Sequence, residues 1–443
     1  MASRARIKAN TTEVMASKFQ RLLLRIGQAP DSCVTLDVAT PRPQRYARSP
    51  VSVAAAIVLA ASAWGCRPGA PPAGAPAPPK ASSTGQPTAK PGKGELLIGQ
   101  SAPFSGPSAQ LGREYREGAM AWFTELNRRG GIHGRKLKLL SLDDRYEPDL
   151  TLVNTQRLIG TEQAFLLFGY VGTPTVKAVL PLIEQANIPM VAPLTGARLL
   201  REPSQQLVFN LRASYQSEID KMVDSLVRMG RHRIAVLHQN DAFGDDGLRS
   251  TRAALARHGL KPVAIAGVER NSAKTDAAAH QIQQGKPNAV VVISSYPSSA
   301  AFSQSMNQLG STAQLMNVSF VGTSGLQDSL TGGQANGIGI SQVVPFPWDR
   351  RVPVVAEYQR LMRRQQATPK YGYTSLEGFL AARLLGEALQ RAGAAPSRQA
   401  VVAAFESMKN VDLGGFQLNM GPGDHQASDF VDLTFLGSQR WGP

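Results

Sequence analysis

From Glu95 onward, short unbroken apolar runs alternate with stretches whose apolar residues recur at helical spacing. A strand that is apolar along its whole length has both faces buried, and the usual way to cover both faces is with helices that connect parallel strands. LLIGQ (96–100), KLKLLSLD (136–143), AFLLFG (164–169), IPMVAP (188–193) and LVFNLR (207–212) read as strands. Residues 115–129, 149–159 and 173–185 read as helices; Ala119, Trp122, Phe123 and Leu126 share one face of the first. Asp149 is placed as an acidic cap of the second helix, and Thr173 as the cap of the third, with Pro174 at its first position. A helix at 217–229 then restarts the series. RIAVLHQ (233–239), PVAIAGVE (262–269), AVVVISS (289–295) and VSFVGT (318–323) follow as strands, separated by helices at 244–258, 276–283 and 298–309. The expected fold is α/β, with two doubly wound parallel-sheet lobes; the two series share a plan but are not a sequence repeat.

Three further helices, near 352–366, 374–392 and 397–408, precede a hairpin-like end in GGFQLNMGPG and DFVDLTFLG. Helices that return after the second series imply a chain that crosses back to the first lobe. Several crossovers make a hinge, and the loops at the carboxyl ends of the strands line the cleft between the lobes.

The formal net charge of +16 suggests a nucleic-acid partner until its location is considered. The first 93 residues hold +10 of it, and the rest of the chain is only mildly basic. Residues 49–65 (SPVSVAAAIVLAASAWG) carry no charge and follow Arg42, Arg45 and Arg48, the layout of a secretory signal. Ala63-Trp64-Gly65-Cys66 resembles a bacterial lipoprotein cleavage box with Cys66 as the acylated residue, although Ala63 stands where the pattern has Leu. Cleavage near Ala61 or Ala63 by the ordinary route is the alternative. Residues 1–41 show no usable periodicity, so either the leader is long or translation starts downstream. Residues 67–93 contain 8 prolines, four basic residues and no acid, which makes them a disordered tether. Residues 94–443 contain no cysteine, and this excludes disulfides, thiol catalysis and Cys-based metal sites there.

Several segments look familiar as an ordered set. Pro103-Phe104-Ser105-Gly106-Pro107 with Gly112, the run from Asn127 through Gly130-Gly131 to Lys136, and Asp143-Asp144 come first. HQNDAFGDDGL (238–248), SFVGTSGL (319–326) and YGYTSLEGFLAARLL (371–385) follow. The set resembles the leucine/isoleucine/valine-binding family of periplasmic solute-binding proteins, type I components of ABC importers, over essentially all of 94–443. The resemblance implies two lobes, the first at 94–210 plus 342–420 and the second at 211–341 plus 421–443, that close on a small amino-acid-like, carboxylate or amide solute and then dock on a permease in the inner membrane.

Three loop groups are expected to hold the solute. Tyr170-Val171-Gly172-Thr173-Pro174 leaves a strand and opens a helix, where free amides and the Thr173 hydroxyl can hold an anionic oxygen; plain helix capping is the competing reading. Leu194-Thr195-Gly196 follows the next strand, and in the family this loop serves a ligand carboxylate; otherwise it is a simple turn. Phe243 and Tyr296 are the aromatic positions that cover the solute from the second lobe. Amino-acid-binding members place a Glu for the ligand ammonium after the FVG strand, where this chain has Thr323-Ser324-Gly325. A buried ammonium needs a carboxylate, so Ser324 points instead to a small carboxylate or amide-like solute, unless Asp241 or Asp328 substitutes.

The six histidines are scattered without metal-ligand spacing, and neither a phosphate-binding glycine loop nor a nucleophile elbow is present. The chain therefore reads as a monomeric solute-binding protein of an ABC importer: not an enzyme, without cofactor or metal, with no nucleic-acid partner, and held to the membrane by a lipid anchor. The alternative is a tethered sensor or regulatory lipoprotein that uses the same fold to contact another protein.

Overall fold

The computed structural model describes residues 94–331 and 333–437. The first series runs β1 (Glu95–Ala102), α1 (Ala109–Arg128), β2 (Lys136–Asp143), α2 (Pro148–Gly160), β3 (Leu166–Phe168), α3 (Thr173–Ala186), β4 (Met190–Val191) and β5 (Val208–Phe209). Its strands form one parallel sheet in the order β2-β1-β3-β4-β5. The second series runs α4 (Tyr215–Arg228), β6 (Ile234–Gln239), α5 (Ala242–Arg257), β7 (Ile265–Val268), α6 (Asp276–Gln284), β8 (Ala289–Ile293), α7 (Tyr296–Gln308), β9 (Gln314–Asn317), α8 (Thr323–Ser329) and β10 (Gly339–Gln342). There follow α9 (Pro353–Gln365), α10 (Tyr373–Arg391), α11 (Arg398–Glu406), β11 (Val411–Asp412), β12 (Gln417–Leu418) and β13 (Asp432–Phe435). The second sheet is ordered β7-β6-β8-β9-β10-β13, parallel except for β13. Every residue of β8 is buried, as the unbroken AVVVI run requires of a strand covered on both faces. In each sheet the first strand lies between the second and the third, so the order reverses beside β1 and beside β6. A crevice opens at such a point, outside the carboxyl ends of the strands.

Four local expectations need correction. VSFVGT is not a strand: the ladder ends at Asn317, and Ser319–Val321 form a 3-10 turn before α8. The buried Glu218 carboxylate draws that segment off the sheet by accepting bonds from the Ser319 amide (2.7 Å), the Ser319 hydroxyl (3.0 Å) and the Ser341 hydroxyl (2.5 Å). The cap of α3 is Gly172, with φ +99°, and not Thr173, whose hydroxyl has another partner. Glu147, not Asp149, precedes α2. The two terminal segments do not pair with each other: β12 pairs with β11, whereas β13 runs antiparallel to β10 in the second sheet.

The returning helix α10 packs on α1 so closely that glycine is required on both sides. A Cβ at Gly118 would lie 1.7 Å from the Ser375 carbonyl oxygen, and one at Gly378 would lie 2.0 Å from that of Tyr115. The chain passes between the sheets after β5, after β10 and before β13. Two of these passages run side by side: the Asn210 amide donates to the His425 carbonyl and the Ala427 amide to the Asn210 carbonyl, each at 2.8 Å. Arg201 fastens both, reaching Gln426 Oε1 at 2.7 Å and the Arg212 carbonyl at 2.8 Å. Arg212 itself makes a bidentate, fully buried ion pair with Glu377 of α10, at 2.8 and 2.7 Å.

Candidate functional site

The loops that leave β1, β2, β3, β4, β6 and β9 meet where the two lobes touch. On the first-lobe side, Val171 and Leu194 form a β-bridge, which brings Gly172 and Thr173 beside Thr195. The Thr173 and Thr195 hydroxyls are 2.7 Å apart and fully buried, and the Thr195 oxygen also accepts the Ala197 amide. Gly196 lies against Tyr215, whose ring is 2.7 Å from where a Cβ would stand. Leu194 is buried in the main core. The Thr173, Thr195 and Gly196 positions expected from sequence are thus brought together.

Tyr170 requires a correction. Its side chain is buried with Val176, Val179 and Ile183 in the core of the first lobe, and its hydroxyl is 3.0 Å from that of Thr155. The phenol is a core group on the side of the sheet that Leu167 faces, because Gly169, with φ +58°, interrupts the alternation of β3 just before it.

From the second lobe, Phe243 is fully buried, with its ring 5.1 Å from that of Tyr215 and 4.8 Å from that of Phe320. Tyr296 makes a different contact. Its hydroxyl donates to the Pro107 carbonyl and accepts the Gln110 amide at 3.4 Å, so it clasps the start of α1 across the lobes. Ser324 is turned toward Glu114 of α1 and toward Gly372, so it belongs with the Tyr296 clasp. Glu114 accepts Gln110 Nε2 at 2.7 Å; burial, with Glu117 and Asp328 adding repulsion, raises its pKa to about 7.

Neither acid offered as a substitute for the missing Glu is free. Asp241 caps α5 through the Phe243 amide (3.0 Å) and accepts Gln239 Nε2 (2.6 Å) and Arg270 Nη1 (3.4 Å). Asp328 accepts Gln110 Nε2 at 3.4 Å from the first lobe.

The sequence reading did not single out four residues that the structure places in this group: Tyr146, Tyr215, Gln239 and Phe320. Burial raises the Tyr215 hydroxyl to a pKa of about 12; it lies beside Thr195 with no partner in good hydrogen-bond geometry. Gln239 Oε1 is also buried without a partner. The signal that could have found three of the four is position, since Tyr146, Gln239 and Phe320 stand at or just beyond the carboxyl end of a strand. Asp143 and Asp144, two residues of the familiar set, shape the loop that presents Tyr146. Asp143 Oδ1 accepts the amides of Phe104 (2.7 Å), Ser105 (3.1 Å) and Arg145 (3.1 Å). Asp144 Oδ1 accepts the Tyr146 amide at 2.9 Å, while Oδ2 accepts the hydroxyls of Ser101 (2.8 Å) and Thr151 (3.1 Å). Burial raises the Asp144 pKa to about 6.

Further bonds close the lobes on each other. Arg270 pairs with Glu147 at 2.6 Å, Asn271 Nδ2 donates to Glu147 Oε1 at 2.9 Å, and the Ser108 hydroxyl donates to Asn271 Oδ1 at 2.8 Å.

A family profile described as periplasmic binding protein matches residues 95–434, which include both sheets and the returning helices. The chain belongs to the periplasmic binding protein family, in its leucine/isoleucine/valine-binding branch. A solved structure of a possible leucine/isoleucine/valine-binding protein from Rhodopirellula baltica is 36% identical, with a TM-score of 0.74, and the match covers 77% of this chain and 94% of that one. A substrate-binding periplasmic protein from Ralstonia solanacearum is 31% identical, with a TM-score of 0.73, over 77% of this chain and 98% of that one. An "Amino acid binding protein" of Pseudomonas aeruginosa is 24% identical over 295 residues, 65% of this chain and 78% of its own length. In this periplasmic binding protein the two lobes expected from the alternation are present, in the type I architecture that the resemblance implied.

Proposed function

We propose that the chain is the extracytoplasmic solute-binding component of an ABC importer, which closes its lobes on a small carboxylate or amide-like solute and delivers it to a membrane permease. One observation carries the reading. Thr173, Thr195, Tyr215, Phe243 and Gln239, drawn from both sides of the hinge, are buried in one group in which Gln239 Oε1 lacks a protein partner and the Tyr215 hydroxyl has only a poorly aligned contact with Thr195. Buried polar atoms of that kind cost free energy unless something hydrogen-bonds them, and a bound solute is such a partner. The solute is of amino-acid size, in keeping with the names of the relatives. It lacks a buried ammonium, because the acids near the group, Asp241 and Glu147, are already shared with Arg270. Cys66 is the proposed lipid attachment point and 67–93 the spacer; both lie outside the described residues.

The test is a thermal-shift screen of the purified protein against amino acids, short carboxylates and amides, followed by calorimetric titration. A hit is expected, and Thr195→Ala should weaken it by about 1–3 kcal/mol. If no compound stabilises the folded protein, or Thr195→Ala binds as well as the wild type, the assignment of the cleft fails. Capture of a protein partner without any solute binding would favour the sensor reading.

A further inference from the structure

After β10 the chain returns to the first lobe through VVPFPWDRRV (343–352). The prolines at 345 and 347 keep this passage extended, because each fixes its own φ and pushes the residue before it out of helical backbone. Gln359 of α9, 4% exposed, fastens it by donating Nε2 to the Pro347 carbonyl at 2.8 Å. The next side chain, Trp348, is braced by Phe346 and Tyr373, whose ring centroids are 5.1 and 6.2 Å away. The loop from α9 to α10 supplies a second ring, Tyr371, set edge-on to the buried Tyr358 at 5.7 Å. Its hydroxyl donates to the Gln359 carbonyl at 3.4 Å and accepts Arg363 Nη1 at 2.8 Å. Trp348, Arg350, Gln359, Arg363 and Tyr371, with residues 367–369, line a cavity of about 550 Å³. Its charge is of one sign. No acidic side chain lines it, and the acids nearest in sequence are committed elsewhere: Asp349 accepts two bonds of 2.8 Å from Arg351, and Glu357 pairs with Arg383 at 2.6 Å and Arg360 at 3.6 Å. Arg364, the neighbour of Arg363 in α9, pairs with Glu125 at 3.0 Å. Among the described residues, Arg350 and Arg363 have no carboxylate partner, and both border the cavity.

We infer that this cavity is a second binding site, outside the cleft, for a small phosphate ester that carries a flat ring. Two guanidiniums without an acid match a dianion, and a phosphate monoester carries nearly two charges at pH 7. The planar fork of arginine fits the oxygens of a phosphate in bidentate fashion. The Trp348 and Tyr371 rings add aromatic wall, which a bare inorganic ion cannot use and a ring can. The volume lies in the range of pockets that enclose small organic ligands, and the composition is theirs too: mostly apolar walls with a few fixed polar groups. None of the residues assigned to the solute group lines this cavity, so the site stands whether or not the cleft takes a carboxylate. An occupant touches the passage between the lobes through Trp348 and Arg350, and α9 through Gln359 and Arg363. It thereby joins a hinge passage to the first lobe.

Phenyl phosphate is the probe, with benzyl alcohol as a ring without the charge and inorganic phosphate as the charge without a ring. Calorimetric titration of the purified protein is expected to show saturable binding of phenyl phosphate with a Kd below about 1 mM, and each control should bind at least about tenfold more weakly. Arg350→Ala and Arg363→Ala should each weaken phenyl phosphate by about tenfold, the loss of one charge-assisted hydrogen bond. Both side chains are exposed, so the variants should fold and melt close to the wild type. Thr195→Ala, which alters the cleft, should bind phenyl phosphate as the wild type does. The inference is overturned if phenyl phosphate shows no saturable binding, or if both arginine variants bind it at full strength. Inorganic phosphate binding as tightly as phenyl phosphate would mean an adventitious ion only, and benzyl alcohol doing so would show that the arginines have no part; either result sinks the site. Loss of binding in Thr195→Ala would put the probe in the cleft and overturn it as well. A failed solute screen together with phenyl phosphate binding that depends on Arg350 and Arg363 would remove the transport reading and leave this site in place.

Discussion

Replacing Glu377 with Gln alters one charge and almost no volume, at a place where charge cannot be hydrated. Arg212 is 2% exposed and Glu377 4%, and their two parallel bonds of 2.8 and 2.7 Å leave Arg212 Nη1 buried without a partner. A second guanidinium, Arg201, lies close enough that burial and the Arg212 charge lower its pKa to about 10. Glu377→Gln would leave two guanidiniums in this region with Glu218 and Asp246 as the remaining acids, and burial already raises the pKa of both. Removing one partner of a fully buried pair costs about 3–5 kcal/mol, because the other charge stays buried and uncompensated. Urea unfolding followed by circular dichroism should therefore show a lower midpoint with an unchanged slope, and a melting temperature lower by roughly 4–7 °C. Replacing both residues, as Arg212→Met with Glu377→Met, should recover most of the loss, since a buried pair exchanged for apolar side chains of similar volume is often neutral. A single-variant cost below about 1 kcal/mol, the level of an exposed pair, would refute the claim that this pair is fully desolvated. A double variant as unstable as the sum of its singles would refute the claim that the cost comes from the unpaired charge.

Glu114 gives a stability that depends on pH. Its pKa rises on folding from 4.5 to about 7, so folding favours its protonated form; the stability it contributes is complete below about pH 4.5 and is lost as pH rises through about 7. The stability of the wild type relative to Glu114→Gln should fall by about 1–3 kcal/mol between pH 5 and pH 8 in urea titrations, allowing for partial exposure; parallel curves for the two proteins would count against it. Asp144 shifts in the same direction, to about 6, so the variant should retain some slope below that pH. Cys66→Ser should abolish acyl labelling and membrane retention in cells, and unchanged labelling would remove Cys66 from the account.

The parallel-sheet lobes are legible in the runs from LLIGQ to AVVVI because full burial of a strand leaves a local mark: most residues along it are apolar, and a buried polar one such as Gln100 has partners, here the Gly169 carbonyl and the Ser141 hydroxyl. Much of the candidate site is legible for a related reason. Thr173, Thr195 and Phe243 stand just beyond strand ends, and the cleft of a doubly wound sheet lies there wherever the strands end. The exceptions have identifiable causes. Tyr170 also follows a strand, but the left-handed backbone of Gly169 breaks the alternation of β3 and turns its side chain into the core beside Leu167. VSFVGT has the composition of a strand, but the distant Glu218 carboxylate binds Ser319 and ends the ladder early.

From its sequence alone, the chain is committed to two α/β lobes with a crossover hinge, and its +16 charge is assigned mainly to the first 93 residues. Those properties follow from patterns repeated over many residues, so no single contact decides them. The pairing of Arg212 with Glu377, the antiparallel seat of β13 and the clasp of Tyr296 on α1 depend on residues 90 or more positions apart meeting in space. The placement of Tyr146 is of the same kind. Nothing in Asp143-Asp144-Arg145-Tyr146 specifies left-handed backbone at its last two residues. The fold imposes it, because the bonds of Asp144 to Ser101 and Thr151 fix the loop and the glycine at position 172 leaves room for the ring between the lobes.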